Sequence, residues 1–552
     1  MMKKTRIWVP KRTGILLAAI SVFLLRPPAG SAHNHLLVSS SAIGGATPAA
    51  RARADVAAFR ARVETALGDA HAQKALWGVL VADRDTGETL FDLNSARSFA
   101  PASNAKLVTS ILALSTLGPD YKFRTTLESK GALSGEGTLS GDLILVGRGD
   151  PDLSNRVFPY AGKSEHGGPA EQALAEMADA VVAKGLREVD GDIVGDDSYF
   201  PYDPFPAGWS VGDLFFEFGA PVSAIAFNDN TVTLTVQPAA QAGDPPVVTF
   251  EPAVASDAIS LELKTGLATT KTDFAVVRQP RQNFILVRGI VPAGGATTKL
   301  DFAMIEPAMS AVRALKQLLE ARGVRVTGSV RVQHAPPPDT SDAGDLPPSA
   351  ESLTALQAPN ALALEERDSP RLLEIVRAMN KISQNLHAEL LLRTVGHEKL
   401  GAGTSLAGLK VEEDFLKSAG VPDGDIALSD GSGLARDDLV TPRAMVTLLR
   451  YAAHQSWGDD FRSTLPIAGT DGTLEGRLKG TPAAGRIEAK TGSLEHVHAL
   501  SGYATTLRGE NLAFAIFANN DPEHGHDATA ALDSICVAMV ETLGRPARAK
   551  KK

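Results

Sequence analysis

Between about residue 122 and residue 360 the chain changes texture, and this limits its architecture more than any other feature. In that block short β-like runs recur, Leu143–Val146, Thr231–Val236, Phe284–Val287 and Val324–Thr327, with glycine and proline between them. On either side the pattern is mixed. A helical periodicity starts near Asp55, a suitable N-cap, and runs towards Leu67. Trp77–Asp83 and Thr89–Asp92 flank a turn at Arg84–Glu88 and predict a hairpin. Leu107, Ile111 and Leu114 give a helical stripe that Gly118 ends. After the block, Ser369-Pro370 opens a helix with Leu372, Leu373, Ile375, Val376 and Met379 on one face, expected to end near Asn380. Two strand-like runs, Val497–Thr506 and Leu512–Asn519, precede a helical pattern over Asp527–Leu543. The order predicts one α/β (α+β) domain, residues 55–128 and 361–545, split by a β-rich insertion over 129–360 of one or two small domains. Pro336–Pro348 reads as an exposed loop.

The 552 residues suffice for about three domains. Net charge is −9, from 55 basic and 64 acidic residues, which argues against a nucleic-acid partner. Lys3, Lys4, Arg6, Lys11 and Arg12 precede the apolar run Gly14–Leu25, and Gly30-Ser31-Ala32 follows. This predicts a signal peptide over 1–32, cut after Ala32, and export to the periplasm or cell envelope. No later segment is long enough to span a bilayer, so membrane association is expected to be peripheral at most, with the basic tail Arg545–Lys552 as a solvated end. The single cysteine, Cys536, excludes an intrachain disulfide and reads as a small buried hydrophobe.

Three short elements carry reactive groups: Ser103-Asn-Ala-Lys106, Ser383-Gln-Asn385 and Lys490-Thr491-Gly492. Ser103 and Lys106 stand three apart where a helix begins, hence on one face. A serine hydroxyl needs a base to become a nucleophile, and a lysine amine serves when burial lowers its pKa. A second hydroxyl, Ser383, can relay a proton, and the Asn385 amide can hold a substrate carbonyl. Lys490 and Thr491 offer a cation and a hydroxyl to a carboxylate, and Gly492 allows close backbone approach to a ligand. A second triplet, Lys264-Thr265-Gly266, lies in the β-rich block and reads as accidental.

In this order and spacing the chain resembles the class C low-molecular-mass penicillin-binding proteins, D-alanyl-D-alanine carboxypeptidase/endopeptidases of peptidase family S13. Asp430-Gly-Ser-Gly-Leu-Ala-Arg436, Gly191–Tyr199, Gly219–Ser223, Phe227–Asn230 and Gly480–Gly485 resemble family segments too. Gly147-Arg-Gly-Asp150 departs from a family tendency to three glycines. The resemblance implies a penicillin-binding/β-lactamase-like transpeptidase domain, an antiparallel sheet with flanking helices. It implies Ser103 as nucleophile, Lys106 as its base and Ser383 as proton shuttle. It implies substrate contacts from Asn385, Lys490, Thr491, Gly492 and Ser493, with the backbone N–H groups of Ser103 and Ser493 as oxyanion hole. Peptidoglycan peptides are the implied substrates and β-lactam antibiotics the implied inhibitors, with no cofactor and no metal.

Asp430 and Arg436 are expected either to shape the site wall or to belong to a purely conformational glycine-rich loop. His524, His526 and Asp527 lack further clustered ligands for zinc, and His496 and His498 read as structural. A class A β-lactamase would need a deacylating carboxylate in Glu-x-x-Leu-Asn. Here Glu413-Asp-Phe-Leu416-Lys417 lacks the asparagine and looks like amphipathic helix, so penicillin is expected to acylate Ser103 and leave slowly. The alternatives are a β-lactamase-like hydrolase, a transpeptidase, which differs only in the acyl acceptor, and a non-catalytic peptidoglycan-binding protein.

Overall fold

A computed structural model describes residues 53–162, 166–277, 284–337, 361–522 and 526–545. The expected signal peptide 1–32, most of the proline-rich loop and the tail after Arg545 lie outside the described residues.

The chain's two ends build one sheet. Its order is Thr89–Leu93, Leu76–Asp83, Asn511–Asn519, Val497–Thr505, Ile487–Leu494, antiparallel throughout. Leu76–Asp83 pairs along its whole length with Asn511–Asn519, from Leu76 opposite Asn519 to Asp83 opposite Leu512. The central strand, NLAFAIFAN, is apolar on both sides because both sides are covered. Successive side chains alternate between faces. Ala513, Ala515 and Phe517 enter a core with Leu107, Ile111, Leu372, Val376, Leu391 and Leu448. Leu512, Phe514, Ile516 and Ala518 enter another with Val56, Phe59, Ile535 and Met539. Helices Ala105–Leu117, Leu372–Ile382, Asn385–Leu400 and Pro442–Ala453 cover the first face, and Ala54–Leu67 with His526–Thr542 the second. Cys536 is wholly buried there, and burial pushes its thiol up to about 12.

The inserted block has its own core. Its five-stranded sheet runs Val330–Ala335, Ile193–Pro201, Leu143–Val146, Arg124–Ser129, Leu362–Asp368. Strands Arg124–Ser129 and Leu362–Asp368 pair antiparallel with each other, so the chain crosses between the two bodies at Phe123 and Ser369. Both crossings lie outside the 129–360 span drawn from texture. The block is also less purely β than its texture suggests. Helices Gln172–Ala183 and Pro307–Ala321 pack inside it, and several strand pairs are parallel. A small apolar cluster joins the two bodies: Tyr199, Phe200, Val222, Ala224 and Ala226 of the insertion close on Leu386 and Leu390 of the Asn385–Leu400 helix.

Candidate active site

Ser103 sits in a single 3₁₀ turn, Ala102–Asn104, that feeds the helix Ala105–Leu117. Ala102, just before it, has φ +47°, a conformation costly for a residue with a Cβ. The turn is clamped from two sides. Asn104 Nδ2 donates to the Lys490 carbonyl at 3.1 Å. Gly433, at φ +79°, lies so close that a Cβ there would stand 1.9 Å from the Ala102 carbonyl oxygen.

Lys106 is fully buried, and its Nζ has three neighbours: Ser103 Oγ at 2.9 Å, Asn385 Oδ1 at 2.5 Å and the Ser432 carbonyl at 2.7 Å. Burial lowers its pKa to about 7, against the opposing pull of Asp430, Glu389 and Asp438. Asn385 Nδ2 donates to the Phe218 carbonyl at 2.7 Å. That carbonyl can only accept, which fixes the amide with Oδ1 towards Lys106.

The helix expected to end near Asn380 runs on to Ile382, and Ser383 is its left-handed C-cap at φ +67°. Lys490 Nζ donates to Ser383 Oγ at 2.8 Å and to the Thr491 carbonyl at 2.8 Å. Lys490 is fully buried too; burial first, then the charge of Lys106, holds its pKa well below the usual lysine range. Thr491 Oγ1 donates to Thr473 Oγ1 at 2.8 Å. At Gly492 the packing within the protein itself also excludes a side chain. A Cβ there would lie 2.6 Å from the Pro101 carbonyl oxygen and 3.0 Å from Asn104 Nδ2, so its close neighbour is the serine turn itself.

Ser103, Ser383, Asn385 and Ser493 line one cleft of about 910 Å³. It continues past Leu494 and Glu495 to Arg436 and on to Asn155, Arg156, Thr231 and Thr233 of the insertion. Lys106 and Lys490 lie behind that lining and join the cleft through their hydrogen bonds to Ser103, Asn385 and Ser383, and Gly492 packs on the serine turn. Lys264-Thr265-Gly266 instead belongs to a strand of the inserted block, Ile259–Gly266, in a separate three-stranded sheet.

Behind Lys106 lies a feature the sequence left ambiguous. The buried Asp430 carboxylate accepts from the backbone N–H groups of Ser432, Gly433, Leu434 and Ala435, from Ser432 Oγ, and from Trp209 Nε1 at 2.8 Å. The loop 430–436 is thus wound around one anion, and it presents the Ser432 carbonyl to Lys106. Glu389 accepts from Gly431 N–H and is raised to about 8, by burial first and then Asp430. Asn104, Trp209, Phe218, Glu389 and Thr473 were not anticipated. The short aspartate preceding a glycine-rich run was the one signal for Asp430.

Of the remaining candidates, His496, His498 and Glu413 have partners away from the three elements. His496 contacts the Asp521 carbonyl through Nδ1 at 2.6 Å, and His498 Nε2 lies 3.4 Å from Asp521 Oδ2. Glu413 sits on the helix Ser405–Ser418, ion-paired with Lys410 and Lys417. His524 and the side chains of His526 and Asp527 lie outside the described residues. Among the described residues, no His/Cys/Asp/Glu group is arranged to hold a metal ion, and no helix is long and apolar enough to cross a membrane.

Comparison with known proteins points the same way. The profile of the D-Ala-D-Ala carboxypeptidase 3 (S13) family matches residues 59–346 and 349–539. A D-alanyl-D-alanine carboxypeptidase of Actinomadura sp. (strain R39) is 34% identical over 519 residues, 91% of this chain and 88% of that protein. The penicillin-sensitive carboxypeptidase A of Dictyostelium discoideum is 26% identical over 497 residues, 84% of this chain and 87% of that protein. The crystal structure of penicillin binding protein 4 (dacB) from Haemophilus influenzae superposes with a TM-score of 0.70 at 26% identity, covering 86% of this chain and 98% of that one.

Proposed function

Because this chain belongs to the D-Ala-D-Ala carboxypeptidase 3 (S13) family, we propose that its cleft hydrolyses D-alanyl-D-alanine and cross-link bonds of peptidoglycan stem peptides through an acyl-Ser103 intermediate. One observation carries the residue roles: the three contacts of Lys106 Nζ. A neutral amine has two N–H groups and one lone pair. Asn385 Oδ1 and the Ser432 carbonyl can only accept, so they take both N–H groups. The lone pair is left for the Ser103 hydroxyl. Lys106 takes that proton as Ser103 Oγ attacks the substrate carbonyl, and backbone N–H groups of Ser103 and Ser493 hold the oxyanion. Ser383, bonded to Lys490, passes a proton to the leaving amine. Lys490 and Thr491 grip the terminal carboxylate, and water releases the acyl group.

The length of the cleft supports a substrate larger than a terminal dipeptide, since lining residues continue onto the inserted block. β-Lactams are proposed as acylating inhibitors, in keeping with the name of the penicillin-sensitive relative. Glu413 is engaged in ion pairs on its helix, which supports slow release of penicillin rather than β-lactamase turnover. The basic and apolar leader supports export to the periplasm with cleavage after Ala32. Amino-terminal sequencing of protein recovered from the envelope should begin at His33.

The test is labelling with fluorescent penicillin. The wild-type protein should take label and Ser103→Ala should stay dark, and purified muropeptides should lose one D-alanine or be split at cross-links. Label that persists in Ser103→Ala, or rapid steady-state turnover of penicillin, would overturn the assignment.

A further inference from the structure

Beside the apolar cluster on Leu386 and Leu390, the inserted block sends residues 202–219 against the catalytic elements. The contacts of this segment converge on the partners of a single atom, Lys106 Nζ. The Phe218 carbonyl accepts from Asn385 Nδ2 at 2.7 Å and so determines that Oδ1 faces the amine. Trp209 Nε1 donates to Asp430 at 2.8 Å, and Asp430 winds the loop whose Ser432 carbonyl accepts from the amine. The Gly208 carbonyl accepts from Arg436 N–H at 3.2 Å, which lays the segment along the same loop. The far end is tied down as well: buried Arg393 donates to the Asp203 carbonyl at 2.6 Å.

We infer that residues 202–219 form a positioning strap by which the inserted block orients the Lys106 lone pair towards Ser103, with Trp209 as its positioning residue. The inference rests on the reading of Lys106 as the base. Without the Phe218 carbonyl the Asn385 amide is free to turn, and its NH₂ group would compete for the lone pair. Without the Trp209 donor, Asp430 keeps its backbone partners but loses one of the dipoles that offset its charge. The charge then acts more strongly on Lys106. The groups facing that amine are Glu389 from the Asn385–Leu400 helix, Asp430 and Asp438 from the loop, and Lys490 from the strand; Glu412 faces Asp430 from the Ser405–Ser418 helix. Trp209→Phe leaves these groups in place, and beside them a less neutralised Asp430 favours charged Lys106. The pH at which acylation switches on therefore moves up.

The experiment measures the rate of penicillin acylation at Ser103 against pH in the full-length protein. Trp209→Phe keeps an aromatic ring, though a smaller one, and removes the donor. It should acylate roughly tenfold more slowly at neutral pH, the scale of one hydrogen bond to a charged group, with its rise displaced to higher pH. Gly208→Ala is a second route to the same state. It puts a Cβ at a φ of +79°, 2.2 Å from Asp437 Oδ1 and 3.0 Å from the Ala435 Cβ, which lifts the strap from the loop. Val211→Ala, in the same segment and 72% exposed, should match wild type in rate and profile. Wild-type behaviour in both Trp209→Phe and Gly208→Ala overturns the strap, and so does a slower rate with an unmoved pH profile. Ser103→Ala and Lys106→Ala are labelled first. Label surviving there defeats the catalytic reading itself, whereas dark controls with an indifferent Trp209→Phe defeat only the strap.

Discussion

At Lys106 two influences oppose each other. Complete burial disfavours the ammonium, while Asp430, Glu389 and Asp438 favour it; burial wins, and the group titrates near 7. A base must be neutral to accept a proton. Below its folded pKa Lys106 is charged and Ser103 has no acceptor; above it the lone pair is available. Acylation of Ser103 by penicillin should therefore rise with pH through about 7, read as label formed against time in a series of buffers. A flat profile between pH 5.5 and 8.5 would contradict the base assignment. Asp430 permits a second prediction at this scale. Its carboxylate serves five N–H donors and one hydroxyl, whereas an amide offers one oxygen and turns an NH₂ group towards donors. Asp430→Asn should cost about 3 kcal/mol or more of stability. It should also abolish label, seen together in thermal melting and in penicillin binding.

Single elements locate the residues that titrate and react. The strand Ile487–Leu494 and the serine turn touch through Gly492 and Asn104, so their spacing depends on a missing side chain. In Gly492→Ala the new Cβ meets backbone at 2.6 Å and cannot be relieved by a rotamer change. The turn must move away from Lys490. A fall in acylation rate of at least tenfold is expected with the fold retained, because an ångström-scale displacement of a nucleophile costs about that much or more. An unchanged rate would mean that the turn yields elsewhere.

What could be read from the sequence divides along this line. The hairpin at Leu76–Leu93, the serine helix and the C-terminal strands were legible because period, turn residues and caps are local. The Gln172–Ala183 helix, rich in alanine between strand-like runs, gave no stripe strong enough to outweigh its surroundings. Ser103, Lys106, Ser383 and Lys490 could be singled out because each belongs to a short motif, and the fold joins them in hydrogen-bonded pairs. Trp209 and Phe218 could not be. Their contacts with Asp430 and Asn385 span 221 and 167 positions, and nothing local marks a tryptophan N–H or a backbone carbonyl as part of a site.

For the whole molecule, the insertion poses a test of cooperativity. Its two ends meet: Ser369 N–H donates to the Phe123 carbonyl at 2.9 Å, and Phe123 N–H donates to Ser369 Oγ at 3.0 Å. A short glycine linker from Phe123 to Ser369 would therefore close the catalytic body without stretching it, and the loop-closure term would change little. If the insertion were an appendage, the shortened chain would fold and take penicillin. The contacts argue otherwise. Excision would strip the Asn385–Leu400 helix of Tyr199, Phe200 and Val222, leaving Leu386 and Leu390 open to water. Exposing two leucines costs roughly 3–6 kcal/mol, a large share of a domain's margin. It would also remove the Phe218 carbonyl and the Trp209 donor. The excised protein should melt well below the full chain and stay dark with penicillin. Polar replacements Leu386→Gln and Leu390→Gln made in that background should restore solubility without restoring label, because they repair the exposed surface and leave Lys106 without its oriented partners. Wild-type labelling of the excised protein would mean that the catalytic body is complete without its insertion.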